Sequence, residues 1–189
     1  MIICAIPSGW HTFCPEVREL KKTERRNPVW ALIFLAYAAL MLYLLFFRNR
    51  TGTEGLPYWD QVKNNYNLIP WFTVKNYWDV LTRPEHYTAK WGAEAYAFQA
   101  KAALINVLGN IAMFVPFGAF LPAMWGKLRK FYKSVLAGLL SIIFVEICQL
   151  LTLRGRCDVD DVLLNMIGIV AGYGIWKMIK PGMRKKKSK

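Results

Sequence analysis

Residues 29–47 form a run of nineteen apolar or aromatic side chains without one charge, and Arg48 ends it. As a helix rising 1.5 Å per residue, the run reaches about 28 Å, close to the thickness of a bilayer's hydrocarbon core. Inside a bilayer the backbone must satisfy its own hydrogen bonds, so a lone span of this kind is a helix. Asn27 and Pro28 just before it suit the N-cap and the first helical position. Three further apolar stretches come later, at residues 101–122, 134–153 and from 161 to about 178. The chain is 55% hydrophobic, with a mean hydropathy of +0.21, above the soluble-globular range. The expectation is all-α, a four-span transmembrane helical bundle.

The net charge of +13 raises nucleic acid as a partner, but the placement of the charge argues against it. The basic residues flank apolar runs and do not form a groove interleaved with stacking aromatics. Arg18, Lys21, Lys22, Arg25 and Arg26 precede the first span, and Lys127, Arg129, Lys130 and Lys133 separate the second from the third. Seven more basic residues lie between 177 and 189. With four spans these three segments share a side, which the positive-inside rule makes the cytoplasm, so both termini are expected there. The chain then divides into a basic cytoplasmic segment at 1–27, a membrane domain at 28–180 and a polybasic cytoplasmic tail at 181–189. No basic, apolar and small-residue order at the start reads as a signal peptide. Cys4, Cys14 and His11 are too few and too irregular for a metal site, and the cysteines are expected to be unpaired thiols.

Residues 48–99 carry eleven aromatic rings, from Tyr58 to Phe98, in a setting of mixed charge. Rings with a polar end favour the headgroup layer, so this segment is expected to fold onto the membrane surface, with lipid as its partner. Within it, residues 67–72 (Asn-Leu-Ile-Pro-Trp-Phe) suggest a turn dipping into the bilayer. Trp91, Ala95 and Phe98 have the spacing of an interfacial lead-in helix.

Against this apolar background the polar residues near the outer span ends are costly, about 2.5 to 3.5 kcal/mol for each charge at a helix centre. Asn106 and Asn110 are at i and i+4 in the second span, and Glu146 and Gln149 at i and i+3 in the third. Arg154 and Arg156 lie in the short connector. Asp158, Asp161, Asn165, Gly168 and Gly172 share one face of the fourth span, with Asp160 beside them. Asn106, Asn110, Glu146, Gln149, Asp161 and Asn165 are expected to line one outward-facing pocket, and Arg154, Arg156, Asp158 and Asp160 are further candidates for the same pocket. Gly109, Gly118, Gly168 and Gly172 are expected to let helices approach closely.

The order of these residues resembles the VanZ-like family. The likeness lies in Asn106-Val-Leu-Gly-Asn110, Phe114-Val-Pro-Phe-Gly118, Glu146-x-x-Gln149, and the run from Arg154-Gly-x-x-Asp158 through Asp161 and Asn165 to Gly168 and Gly172. The Asn67-Leu-Ile-Pro-Trp-Phe piece is similar to that family's first-loop motif. The resemblance spans about residues 30–178. It implies a bacterial multi-pass membrane protein and, through the family's founding member, a link to resistance to the glycopeptide teicoplanin. It implies no settled activity.

The polar set admits three readings. In the first, amides and carboxylates merely join helices. The second is a site for a lipid-linked cell-envelope precursor, with Arg154 and Arg156 on phosphate; a cell-wall enzyme is another partner of this class. The third is a metal-assisted hydrolase or transferase acting on a lipid phosphate, using Glu146 and the three aspartates. His11 and His86 are the only histidines and stand far from any nucleophile. The reading therefore leans away from an enzyme and expects no cofactor and no resident metal.

Overall fold

The computed structural model describes residues 28–47 and 55–185, with side chains described through residue 179. The expectations for residues 1–27, with Cys4, His11 and Cys14, and for the last residues of the tail lie outside the described residues. Among the described residues, seven α-helices run in order: α1 (Pro28–Phe46), α2 (Tyr58–Asn64), α3 (Phe72–Thr82), α4 (Pro84–Trp91), α5 (Ala93–Met124), α6 (Phe131–Thr152) and α7 (Val159–Lys185). Two short strands, β1 (Tyr66–Asn67) and β2 (Cys157–Asp158), pair in parallel. Four helices (α1, α5, α6 and α7) are long and apolar enough to cross a membrane. The fold is all-α, as the apolar runs predict.

The spans exceed their expected lengths where polar residues continue a helix. With 32 residues, α5 is about 48 Å long, more than a bilayer's hydrocarbon core. Its first turns, with Ala95 and Phe98, therefore stand above the apolar layer and fuse the expected lead-in helix to the second span. Trp91 ends α4 instead, because Gly92 at φ 87° breaks the helix between them. The aromatic segment, expected as a surface loop, is folded into α2, α3 and α4.

One core joins the four spans: Met41 and Leu45 of α1, Phe114 of α5, Ile142 of α6 and Ile169 of α7. Packing is closest between α5 and α7, and glycine is the reason. A Cβ at Gly168 would strike the Ile111 carbonyl oxygen, one at Gly172 the Val115 carbonyl oxygen, and one at Gly118 the Ile169 carbonyl oxygen. These three glycines bring backbone against backbone, where dispersion replaces the hydrophobic drive that is missing between helices in lipid. Gly109 departs from the expectation: a Cβ there would meet nothing within 4 Å, so it is no packing glycine.

At one end of the bundle, Phe34 meets Trp125 edge-on and the Tyr173 hydroxyl donates to the Arg129 carbonyl at 2.9 Å. This is the end with the basic connector. The ends of α1 and α6 and the starts of α5 and α7 gather at the opposite end. There α6 stops in a left-handed turn at Leu153 (φ 52°), with Arg154 N–H bonded to the Gln149 carbonyl and Leu153 N–H to that of Leu150, a Schellman closure. The chain thus turns back sharply into β2 and α7.

Candidate functional site

The polar end is assembled by the two-residue strand pair. Tyr66 lies opposite Cys157 and Asn67 opposite Asp158. The Asn65 side-chain amide donates to the Gly155 carbonyl, and Cys157 N–H donates to the Asn65 carbonyl at 3.1 Å. Tyr58, on α2, adds a bond from its hydroxyl to the Leu151 carbonyl at 2.7 Å. The segment between the first two spans is thereby sewn to the connector between the last two.

Asp160 and Asp158 fix the position of α3. Trp71 opens α3 in a left-handed conformation, φ 65°, and offers no capping side chain, so the first-turn N–H groups need a partner from elsewhere. Asp160, fully buried, supplies it. Its carboxylate accepts the N–H groups of Trp71 at 2.6 Å, Thr73 at 2.8 Å and Val74 at 3.0 Å. A negative charge also suits the positive end of the helix dipole. Asp158 accepts from the Thr73 hydroxyl, from the Asn67 amide at 3.2 Å and from Asp160 N–H at 3.0 Å; the last bond caps α7 at its own start. Both aspartates spend their oxygens holding α3 over the bundle.

Held this way, α3 brings Tyr77 to the helices beneath. The Asn106 side-chain amide donates to the Tyr77 hydroxyl at 2.9 Å, and the Asn110 amide donates to Asn106 Oδ1 at 3.0 Å and Asp161 Oδ1 at 2.6 Å. A continuous polar chain runs from α3 through α5 to α7. Burial pushes the Tyr77 hydroxyl pKa up, and the Asp161 and Asp158 charges push it further, against the Asn106 bond and Arg156. The Cys157 thiol is also raised, by burial first and then by Glu146, Asp158 and Asp161. These two groups, on separate segments, both feel Asp158 and Asp161, and Cys157 feels Glu146 as well.

Glu146 completes the cluster from α6. It is 4% exposed, and its Oε2 accepts Asp158 N–H at 3.2 Å. One turn below Asp161 lies Asn165, 3% exposed, whose Oδ1 is buried with no hydrogen-bond partner. Gln149 turns away: its amide donates to the Leu45 carbonyl at 2.9 Å and ties α6 to α1. Arg154 is half-buried and Arg156 exposed. The ion pairs among the described residues, Lys63–Asp60 and Arg83–Asp79, lie elsewhere, so neither arginine neutralises the acids at contact distance. Among the described residues, no three His, Cys, Asp or Glu are arranged to hold a metal ion, consistent with Asp158 and Asp160 being engaged by N–H and O–H donors.

Of the expected residues, the structure brings together Asn106, Asn110, Glu146, Asp161 and Asn165. It assigns Asp158, Asp160 and Gln149 to holding elements in place, and leaves Arg154 and Arg156 outside the hydrogen-bonded cluster. Sequence reasoning missed Tyr77, Thr73, Asn65, Asn67 and Cys157. Thr73 and Tyr77 did leave a signal, since polar residues at i and i+4 share a helix face, but it was hidden among aromatics.

Compared with protein-family models, the sequence matches VanZ/LLP1 over residues 34–180. Comparison with curated proteins and with solved structures gives no match. The matched region takes in most of α1, the other three membrane spans, the strand pair and every residue of the polar cluster, and the chain belongs to the VanZ/LLP1 family.

Proposed function

We propose that this membrane protein binds the headgroup of a lipid-linked cell-envelope precursor at its polar end, in the outer leaflet, and so alters the tolerance of the cell to glycopeptides that target such precursors. The unpartnered Oδ1 of Asn165 carries this reading. Were the cluster only a joint between helices, its buried acceptors would be matched by donors, because an unmade hydrogen bond costs about 1 to 3 kcal/mol. An acceptor left open one helical turn from Asp161 suits a site that takes a ligand. Arg156, exposed and close enough to Tyr77 for its charge to be felt there, would meet the phosphate of such a headgroup.

The test is native mass spectrometry on protein purified from cells that make the precursor, beside glycopeptide tolerance in cells expressing the protein. Retained precursor supports the reading, and its absence from protein that keeps other lipids overturns it. Precursor returned chemically altered would show catalysis in its place.

A further inference from the structure

The charges of this chain are sorted by end. Among the described residues, Asp and Glu occur at 60–94 and 146–161, in the segments that build the polar end. From 95 to 145 and from 162 onward the sequence has no acid, so the connector between α5 and α6 and the far part of α7 carry no opposing charge of their own. Lys127, Lys130, Lys133 and Lys177 are all exposed there. The connector that holds three of them is folded. Leu128 N–H donates to the Trp125 carbonyl at 2.9 Å, within a single 3₁₀ turn at Gly126–Leu128. The Ser134 hydroxyl donates to the Leu128 carbonyl at 2.7 Å, and the Tyr173 hydroxyl of α7 donates to the Arg129 carbonyl at 2.9 Å. Phe131 meets Tyr173 edge-on, with ring centroids 5.3 Å apart. The lysines therefore project from a turn already docked on α7, which spares part of the ordering cost of meeting a partner.

We propose that Lys127, Lys130 and Lys133 form a docking surface for anionic phospholipid in the leaflet at this end. Depth supports it. Lys127 follows the last residue of α5, Met124, by three positions, and Lys130 and Lys133 flank Phe131, the first residue of α6. At 1.5 Å per residue these charges stand within about 5 Å of the span ends, the level of lipid phosphate. The neighbouring apolar surface names lipid over a soluble polyanion. Tyr132, Leu136, Leu140, Ile143 and Ile147 are exposed and share one face of α6 at helical spacing. That stripe leads from the lysines down the span. A phospholipid meets both parts at once, its phosphate on the ammonium groups and an acyl chain along the stripe, whereas a polyanion in water meets only the first. The surface lies at the end opposite the polar cluster, and the proposal is independent of what that cluster binds.

The experiment uses the full chain in detergent micelles holding equal amounts of phosphatidylglycerol and phosphatidylcholine with the same acyl chains. Native mass spectrometry reads the ratio of the two lipids retained. Phosphatidylglycerol should be preferred, and the preference should fade as salt rises from about 0.1 to 1 M, where the screening length shrinks from about 10 to 3 Å. Lys127→Gln, Lys130→Gln and Lys133→Gln should each lower the ratio about fivefold, the worth of one base near an anionic surface. Lys90→Gln removes the same charge from an exposed position on α4 and should leave the ratio unchanged. Melting in detergent should be alike in all four variants, which separates lost binding from lost fold. Equal retention of the two lipids by the wild-type protein overturns the proposal without recourse to any variant. An equal loss in Lys90→Gln and Lys127→Gln also overturns it, by making net charge the cause. Binding of a single-stranded oligonucleotide without a lipid preference would give the surface to nucleic acid instead.

Discussion

Asp160 and Asp161 are neighbours in sequence and opposite in role. Asp160 is fully buried and holds three backbone N–H groups of a distant helix start. Asp160→Ala should destabilise the protein by about 3 kcal/mol or more, since each orphaned buried donor costs about 1 to 3 kcal/mol. Protease nicking within residues 71–82 would report it, and an unchanged cleavage pattern and melting temperature would refute the trans-capping role. Asp161 has one amide partner. Asp161→Asn keeps the shape and removes the charge, so glycopeptide tolerance should be lost while membrane abundance and detergent melting stay near wild type. Unchanged tolerance at equal abundance would remove Asp161 from the site.

At the scale of elements, the contact between α5 and α7 depends on three glycines with no room for a methyl. Gly172→Ala should force the helices apart and cost about 1 to 3 kcal/mol, the usual range for overpacking. Gly109→Ala, on the same α5 but facing open space, should be neutral or slightly stabilising, because alanine is the better helix former. Paired melting curves decide the matter, and equal losses at both sites would contradict the packing described. Polar residues that look alike separate here too. Glu146 reaches the connector leading into α7, whereas Gln149, three residues on, reaches α1. One residue joins the site and the other closes the bundle.

For the molecule as a whole, the polar cluster and the basic connector lie at opposite ends of the spans. On the expectation that the basic side is cytoplasmic, a sole cysteine at 157 should react with an impermeant thiol reagent in intact cells, and Cys4 or Cys14 only after permeabilisation. Labelling of Cys4 in intact cells would reverse the orientation. The rate carries a second prediction. Burial and the Glu146, Asp158 and Asp161 carboxylates raise the Cys157 pKa, so less thiolate is present at neutral pH and labelling should speed up only at more alkaline pH than for an ordinary thiol. Glu146→Gln and Asp161→Asn each remove a repelling charge, so both should shift that rise toward neutral pH. A rate profile that stays put in both variants would mean the acids do not converge on Cys157.

The four spans were legible in the sequence because a membrane helix is a local decision: length and apolarity suffice when no water is present to satisfy the backbone. The glycine face of α7 was legible for a similar reason, through helical spacing alone. Which acid serves the site and which serves the scaffold was decided only in three dimensions. Asp158 and Asp160 bind groups 85 to 91 residues away, and Tyr77 meets Asn106 across 29. No spacing rule encodes those pairings. They arise when a two-residue strand pair lays α3 over the bundle and brings residues remote in sequence together.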